Sequence, residues 1–229
     1  MPPSVDMIKK RLLLTGILFA LSLTACDIEM PALVYSEMPG TRTGVSRTSA
    51  SSDPVKVNTS LRLPANKISK TESARMARQY GERFGVETSL VLGVITQESG
   101  FNANAVSHAG AMGMMQIMPG TVQHINDMGQ VKINDAFNAE ENVRAGTWYL
   151  KSLYDQLSSL PEARRWEFAL ASYNGGIGTV TRAMEKITYA TGKGRSSITW
   201  QDLKPYLPSE TQNYVPAVLS HTAYYRQNI

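Results

Sequence analysis

From Ser69 onward apolar residues return every three or four positions, and no stretch alternates apolar with polar at every second position. A strand needs period two and a helix period 3.6, so this pattern predicts an all-α domain over 69–229. The local signals agree. "SKTE", Ser69 to Glu72, has the form of a capping box, and Met76, Tyr80 and Phe84 follow at i, i+4 and i+8, with Gly85 as a stop. Leu90, Val91, Val94 and Ile95 form the next stripe, with Gly100 just past its end. "NAEE" at Asn138 opens a longer helix carrying Val143, Leu150, Leu153, Tyr154 and Leu157. Pro161 suits the first turn of another, which carries Trp166, Ala169, Leu170 and Tyr173. "TVTRAMEKI" and "SETQNYVPAVLSHTAYY" read as two more, and Pro216 is expected to kink the last or to mark its true start.

The first 68 residues have a different texture. Lys9, Lys10 and Arg11 precede an apolar run from Leu12 to Leu23, too short to span a bilayer comfortably and well sized for a signal-peptide core over 1–25. The acidic, proline-bearing "MPPSVD" ahead of Met7 is unusual there, and Met7 is the expected start. Cys26, the only cysteine, closes "LTAC" at the end of the apolar run, a pattern that resembles the bacterial lipobox. Lipidation of Cys26 is expected, against the plainer reading of an incidental cysteine after an ordinary leader. Residues 36–60 contain no Leu, Ile, Phe, Trp or Tyr and cannot bury enough surface to offset ordering entropy. Residues 26–68 are therefore read as a flexible tether, with a typical span of roughly 35–40 Å. The sequon at Asn58 is read as a chance match in a Ser/Thr-rich segment.

Charge excludes some classes of function. The net charge is +4, and loss of the leader removes three basic residues and one acidic one, leaving about +2. No dense Lys/Arg run is present to track phosphates, so nucleic acid is not an expected partner. His108, His124 and His221 are scattered without ligand spacing, so no metal is expected. No phosphate loop follows a strand, and no cofactor is expected.

The residue type that invites chemistry is a lone carboxylate. Glu98 follows Val94 by four and Ile95 by three, which places it on the apolar face of its helix. A carboxyl carried into that face is disfavoured as the anion and stays protonated closer to neutrality, as a general acid requires. A helix-end glutamate with a local partner is the plainer reading.

The neighbouring stretches favour chemistry. Glu98-Ser99, then "AVSHAGAMGMMQIMPGT", then "ASYNGG" at Ala171 to Gly176 resemble the family 1 lytic transglycosylases, the group of the soluble lytic transglycosylase, which show E-S, G-L-M-Q and A-Y-N-G in this order. "ENVRAGTWYL" and "PSETQNYVPAVL" resemble the later family motifs, and the resemblance covers about Thr71 to Tyr225. Two departures are visible: Met114 stands where Leu is usual, and Ser172 lies between Ala171 and Tyr173.

The resemblance implies a goose-type lysozyme-like α-domain with a cleft built around one glutamate. Its substrate would be peptidoglycan glycan strands, cut between N-acetylmuramic acid and N-acetylglucosamine. Glu98 would protonate the leaving oxygen, the muramyl acetamide would attack the anomeric carbon in place of a second carboxylate, and Glu98 would then deprotonate the C6 hydroxyl to close a 1,6-anhydro ring. Ser107 would bond the sugar near its acetamido or peptide-bearing side. Gln116 and Met118 would line the cleft, and Tyr173 and Asn174, with help from Tyr214, would orient the acetamide. Packing is the plainer role for Met114, Met115, Met118 and Tyr173. Two other functions stay open: a muramidase that admits water, for which Asp127 or Asp135 would have to face Glu98, and a non-catalytic wall-binding lipoprotein. The expected setting is a monomer on the periplasmic side of a bacterial envelope, held to the inner or outer membrane by lipidated Cys26.

Overall fold

The computed structural model describes residues 64–229; the expected leader, Met7, Cys26, Asn58 and most of the tether lie outside them. Eight α-helices span the described residues: α1 (Lys70–Phe84), α2 (Thr88–Ser99), α3 (Pro119–Met128), α4 (Ala139–Gln156), α5 (Glu162–Gly175), α6 (Ile177–Thr191), α7 (Trp200–Leu203) and α8 (Ser209–Asn228). Among the described residues, pairing of extended backbone is confined to isolated bridges, so the all-α expectation holds. No helix among the described residues is long and apolar enough to cross a membrane.

α2 is the axis of the domain. Residues 89–95 are all buried, the mark of a helix surrounded by others rather than one lying on a surface. α1 covers one side and α8 another. α8 comes close because Gly93 has no side chain: a Cβ there would lie 2.6 Å from Thr222 Oγ1 and 2.9 Å from the Val218 carbonyl oxygen. α5 packs against α4, α6 and α8 and completes the main core around Phe168, Leu170, Met114 and Met115. A smaller core of Ile117, Ile125, Val131, Ile133 and Trp148 lies beneath α3 and the segment that follows it, against α4.

The caps act largely as expected. Ser69 Oγ accepts the Glu72 N–H at 3.1 Å, but the reciprocal half of the box is absent, since the Glu72 carboxylate is taken by Arg75. Asn138 Oδ1 accepts the Glu141 N–H at 3.0 Å. α1 and α2 end on left-handed Gly85 and Gly100. Pro161 is the residue just ahead of α5 rather than in its first turn. Pro216 does not start α8, which runs through it from Ser209; it stands on the exposed side, where water can satisfy the carbonyl it leaves unpaired. α3 and α7 were not anticipated. α3 is short and contributes only Ile125 as a buried residue, so it has no apolar stripe to read.

Candidate active site

Glu98 sits in the last turn of α2, partly buried, with its carboxyl turned toward α5 and α8. Burial pushes its pKa up to about 7, the charge of Glu210 adds to the rise, and a hydrogen bond from Tyr214 opposes it. Tyr214 is buried in α8, and its hydroxyl donates to Glu98 Oε1 at 2.7 Å. Among the described residues no cationic side chain offsets the burial of this carboxyl. Tyr173 and Tyr214 are both held well above the ordinary tyrosine range, by burial first and by the nearby Glu98 next, so they remain neutral O–H donors.

The loop between α2 and α3 forms the opposite wall, and one buried residue holds it. Asn142, fully buried in α4, accepts the Met115 N–H at 2.7 Å and donates to the carbonyls of Met112 at 3.0 Å and Ala136 at 2.8 Å. It fits only because residue 113 is glycine: at φ 77, a Cβ would lie 2.3 Å from Asn142 Nδ2. Met114 and Met115 are completely buried, as the packing reading had it. Met118, the residue just ahead of α3, is 41% exposed and so is not core filler. Gln116 adopts φ 49, a left-handed conformation unusual for a side chain of its size. Its Nε2 compensates by donating to the carbonyls of Ala105 at 3.1 Å and Gly113 at 2.8 Å, which leaves the amide oxygen as the end free for a ligand. Ser107 Oγ accepts the Ala111 N–H at 2.9 Å, leaving its own proton available.

The α5 residues are more committed than the sequence indicates. The Tyr173 hydroxyl donates to the Met115 carbonyl at 2.8 Å and so joins α5 to the loop wall. Asn174 has both amide ends taken: Nδ2 donates to Glu210 Oε1 at 3.2 Å and Oδ1 accepts from Thr211 Oγ1 at 2.7 Å. It therefore ties α5 to the first turn of α8. Ser172, the inserted residue, returns its hydroxyl to the Phe168 carbonyl at 2.8 Å and adds no polar group to the site.

Three residues escape a reading of the sequence alone. Asn142 and Tyr149 lie in "ENVRAGTWYL" and Glu210 lies in "PSETQNYVPAVL", stretches recognised as wholes without these residues standing out. Tyr149 packs its ring on Tyr173 at 5.6 Å between centroids and edge-on to His124 at 6.4 Å. Beyond it, Trp148, Lys151, Asp155 and Ile177 help to line a cavity of about 490 Å³. A larger cavity of about 760 Å³ lies between α1 and the end of α8 and does not include Glu98. Asp127 and Asp135 are both exposed, and Asp135 accepts the Phe137 N–H at 2.8 Å; the carboxylate whose charge reaches Glu98 is Glu210.

One raised carboxyl stands here beside two neutral tyrosines, and the chain belongs to the Transglycosylase SLT domain family, which matches residues 75–195. It is 35% identical over 119 residues to membrane-bound lytic murein transglycosylase C of Glaesserella parasuis, covering 48% of this chain and 32% of that protein. It is 38% identical over 134 residues to membrane-bound lytic murein transglycosylase F of Desulfosudis oleivorans, covering 58% and 28%. The chain thus spans about a third or less of the length of these relatives. Among solved structures it is similar to the 70-kDa soluble lytic transglycosylase of Escherichia coli, with TM-score 0.55 and 30% identity over 67% of this chain and 24% of that one. It is also similar to an inactive Glu-to-Gln mutant of lytic transglycosylase Slt from Pseudomonas aeruginosa, with TM-score 0.56 and 25% identity over the same shares. The expected lysozyme-like fold is the fold of these structures.

Proposed function

We propose that this protein is a peptidoglycan lytic transglycosylase that uses Glu98 as acid and then as base. The observation that carries the reading is the state of Glu98: a carboxyl with a pKa of about 7 and, among the described residues, no cation beside it and a single donated hydrogen bond. Such a group is about half protonated at neutrality and can give a proton or take one at little cost, which the two half-reactions require.

In the first half, the Glu98 proton passes to the glycosidic oxygen, the C1–O bond to the leaving N-acetylglucosamine breaks, and the muramyl acetamide oxygen bonds to C1. In the second, the Glu98 carboxylate takes the C6 hydroxyl proton, O6 bonds to C1, and the acetamide leaves. Glu98 ends protonated again, and no water is consumed. The Tyr214 hydrogen bond steadies the carboxylate between the two steps. Ser107 donates its free proton to the sugar near the acetamido or peptide-bearing side, and Gln116 accepts through its amide oxygen. Met118 lies under a ring face. Tyr173 and Asn174 shape the acetamide's place through the contacts they make, rather than with spare hydrogen bonds of their own. The strand extends past Tyr173 and Tyr149 toward the cavity beside Trp148.

Glu210 keeps a hydrolytic reading in view, because it is a second carboxylate near Glu98 that a muramidase could use to hold water. Its engagement with Asn174 favours a supporting role. The relatives' names support a place in the bacterial envelope; the lipobox-like "LTAC" adds the reading of a monomer on the periplasmic side, held to the inner or outer membrane by lipid on Cys26. Digestion of purified peptidoglycan, followed by mass spectrometry, tests the function. Anhydromuropeptides support transglycosylation, reducing muropeptides mark a hydrolase, and binding without products marks a wall-binding protein.

A further inference from the structure

The segment 64–68 was read as the last of the tether, yet it is stitched to the fold. It lies antiparallel to the loop leaving the C-terminal end of α2, with Lys67 bridged to Asn102. The Ile68 N–H donates to the Phe101 carbonyl at 3.0 Å, and the Ala103 N–H donates to the Asn66 carbonyl at 2.9 Å. Asn102 Oδ1 accepts the Asn66 N–H at 2.8 Å and also the Asn104 N–H at 3.1 Å. Lys67 Nζ donates to the Gly100 carbonyl at 2.6 Å, and Asn104 Nδ2 to the Pro64 carbonyl at 2.7 Å.

These bonds fall on the strained part of the loop. Gly100 and Phe101 both adopt the left-handed conformation, at φ 53 and φ 71. A glycine accepts this freely; a phenylalanine does so only where its surroundings over-determine it. The carbonyl held by Ile68 belongs to Phe101, and the one held by Lys67 belongs to Gly100. An ammonium at the carbonyl end of a helix is also favoured by the helix dipole.

The clamped loop is the common root of both halves of the site. Glu98 lies two residues before Gly100, in the last turn of α2. On the other side, Asn102 accepts the Ala105 N–H, and the Ala105 carbonyl accepts both the Gly113 N–H and Gln116 Nε2. Loosening the turn at 100–101 would free the last turn of α2 and the wall that carries Gln116 together.

We propose that residues 64–68 are a positioning strap: Asn66 and Lys67, acting through Asn102 and the Gly100–Phe101 turn, keep the Glu98 carboxyl seated against Tyr214. The inference rests on reading Glu98 as the acid. The groups that face Glu98 are Tyr173 of α5 and Tyr214 and Glu210 of α8, none of them on the strap. The strap therefore acts on where the carboxyl sits and how much water reaches it, and adds no charge beside it.

The test compares Asn102→Ala, which removes the acceptor of two N–H groups, with Asn102→Asp, which keeps it. Both are made in the full 229-residue chain, with thermal stability recorded for each. Carboxyl-labelled glutamate gives the Glu98 titration by NMR, assigned through Glu98→Gln, and product release from purified murein gives the rate. In N102A the Glu98 midpoint should move down by about half a pH unit or more, because relief of burial, the largest influence on this carboxyl, outweighs the loss of the opposing Tyr214 hydrogen bond. The rate near neutrality should fall about three- to tenfold, with the optimum displaced toward acid. N102D should restore both. An unchanged Glu98 titration in folded N102A overturns the strap, whatever the protein does to murein. A wild-type chain that titrates as expected but releases no fragments refutes the enzymatic reading instead and leaves the strap's own test intact. If N102A does not fold, Lys67→Met removes only the ammonium on Gly100: a smaller shift in the same direction supports the strap, and none overturns it.

Discussion

Two glutamates stand at opposite ends of α2 and meet opposite fates. Glu87, at the N-terminal end, is half-exposed and gripped by Arg226, whose Nε and guanidinium NH₂ donate to its two oxygens at 2.8 and 2.6 Å, while Ser89 donates to it as well. Arg226 holds its pKa below the usual carboxylate value, and the positive end of the helix dipole favours the same charged state. Glu98, at the carbonyl end, has burial, the negative end of the dipole and the Glu210 charge all working against ionisation, with only Tyr214 on the other side. One helix thus carries a permanent anion used for structure and a protonated acid available for chemistry. The residue type is the same; the partners and the water around it decide the role.

The comparison breaks most sharply in activity. Glu98→Gln should reduce murein cleavage by about a thousandfold or more, the scale of losing a general acid that also serves as base, while Glu87→Gln should stay within a few-fold of wild type. Release of soluble muropeptides, followed by chromatography and mass spectrometry, measures both. Equal losses in the two variants would remove the distinction.

The same contrast predicts opposite pH dependences of stability. Glu98 keeps its proton in the folded state up to about 7, whereas the unfolded chain releases it near 4.5. Between those values the folded state binds more protons, so stability falls as pH rises and the loss is complete above about 7. Glu98→Gln escapes that loss and should be more stable than wild type at pH 8 by on the order of 2 kcal/mol, allowing for partial solvent access. Glu87 works the other way: its contribution is present above about 4.5 and disappears as pH falls through its lowered value. Denaturant melts of both variants at pH 4, 6 and 8 provide the check.

Two smaller changes sharpen the picture at the Glu98 end. Tyr214→Phe removes the hydrogen bond that favours the Glu98 anion, so its pKa should rise above about 7 and turnover should fall about tenfold, with the pH–rate profile displaced to higher pH. Glu210→Gln removes a neighbouring negative charge, so the Glu98 midpoint should fall and the profile should move to lower pH, with only about a two- to fivefold change in rate. Opposite displacements in these two variants are the signature of the arrangement.

Much of this was legible in the residues themselves. The stripe Leu90, Val91, Val94 and Ile95 placed Glu98 on a buried face, and Gly85, Gly100 and Asn138 marked helix ends where the structure has them. What could not be read was tertiary in origin. Asn142 looks like any polar helix residue until the loop that it anchors is folded against it. Asn174 reads as a free amide until α8 supplies Glu210 and Thr211. Glu210 lies 112 positions after Glu98, and only the close packing of α2, α5 and α8 brings its charge to bear. Residues 64–68 read as linker because they precede the first helical stripe; their order comes from partners in another loop.

Direct titration of the two glutamates in the unaltered protein tests the central claim most simply. With carboxyl-labelled glutamate, NMR from pH 3 to 9 should give a Glu98 midpoint of about 7 and a Glu87 midpoint below 4.5. A Glu98 carboxyl that ionises with the surface glutamates near 4.5 would contradict the account, because it would hold no proton to give at neutral pH.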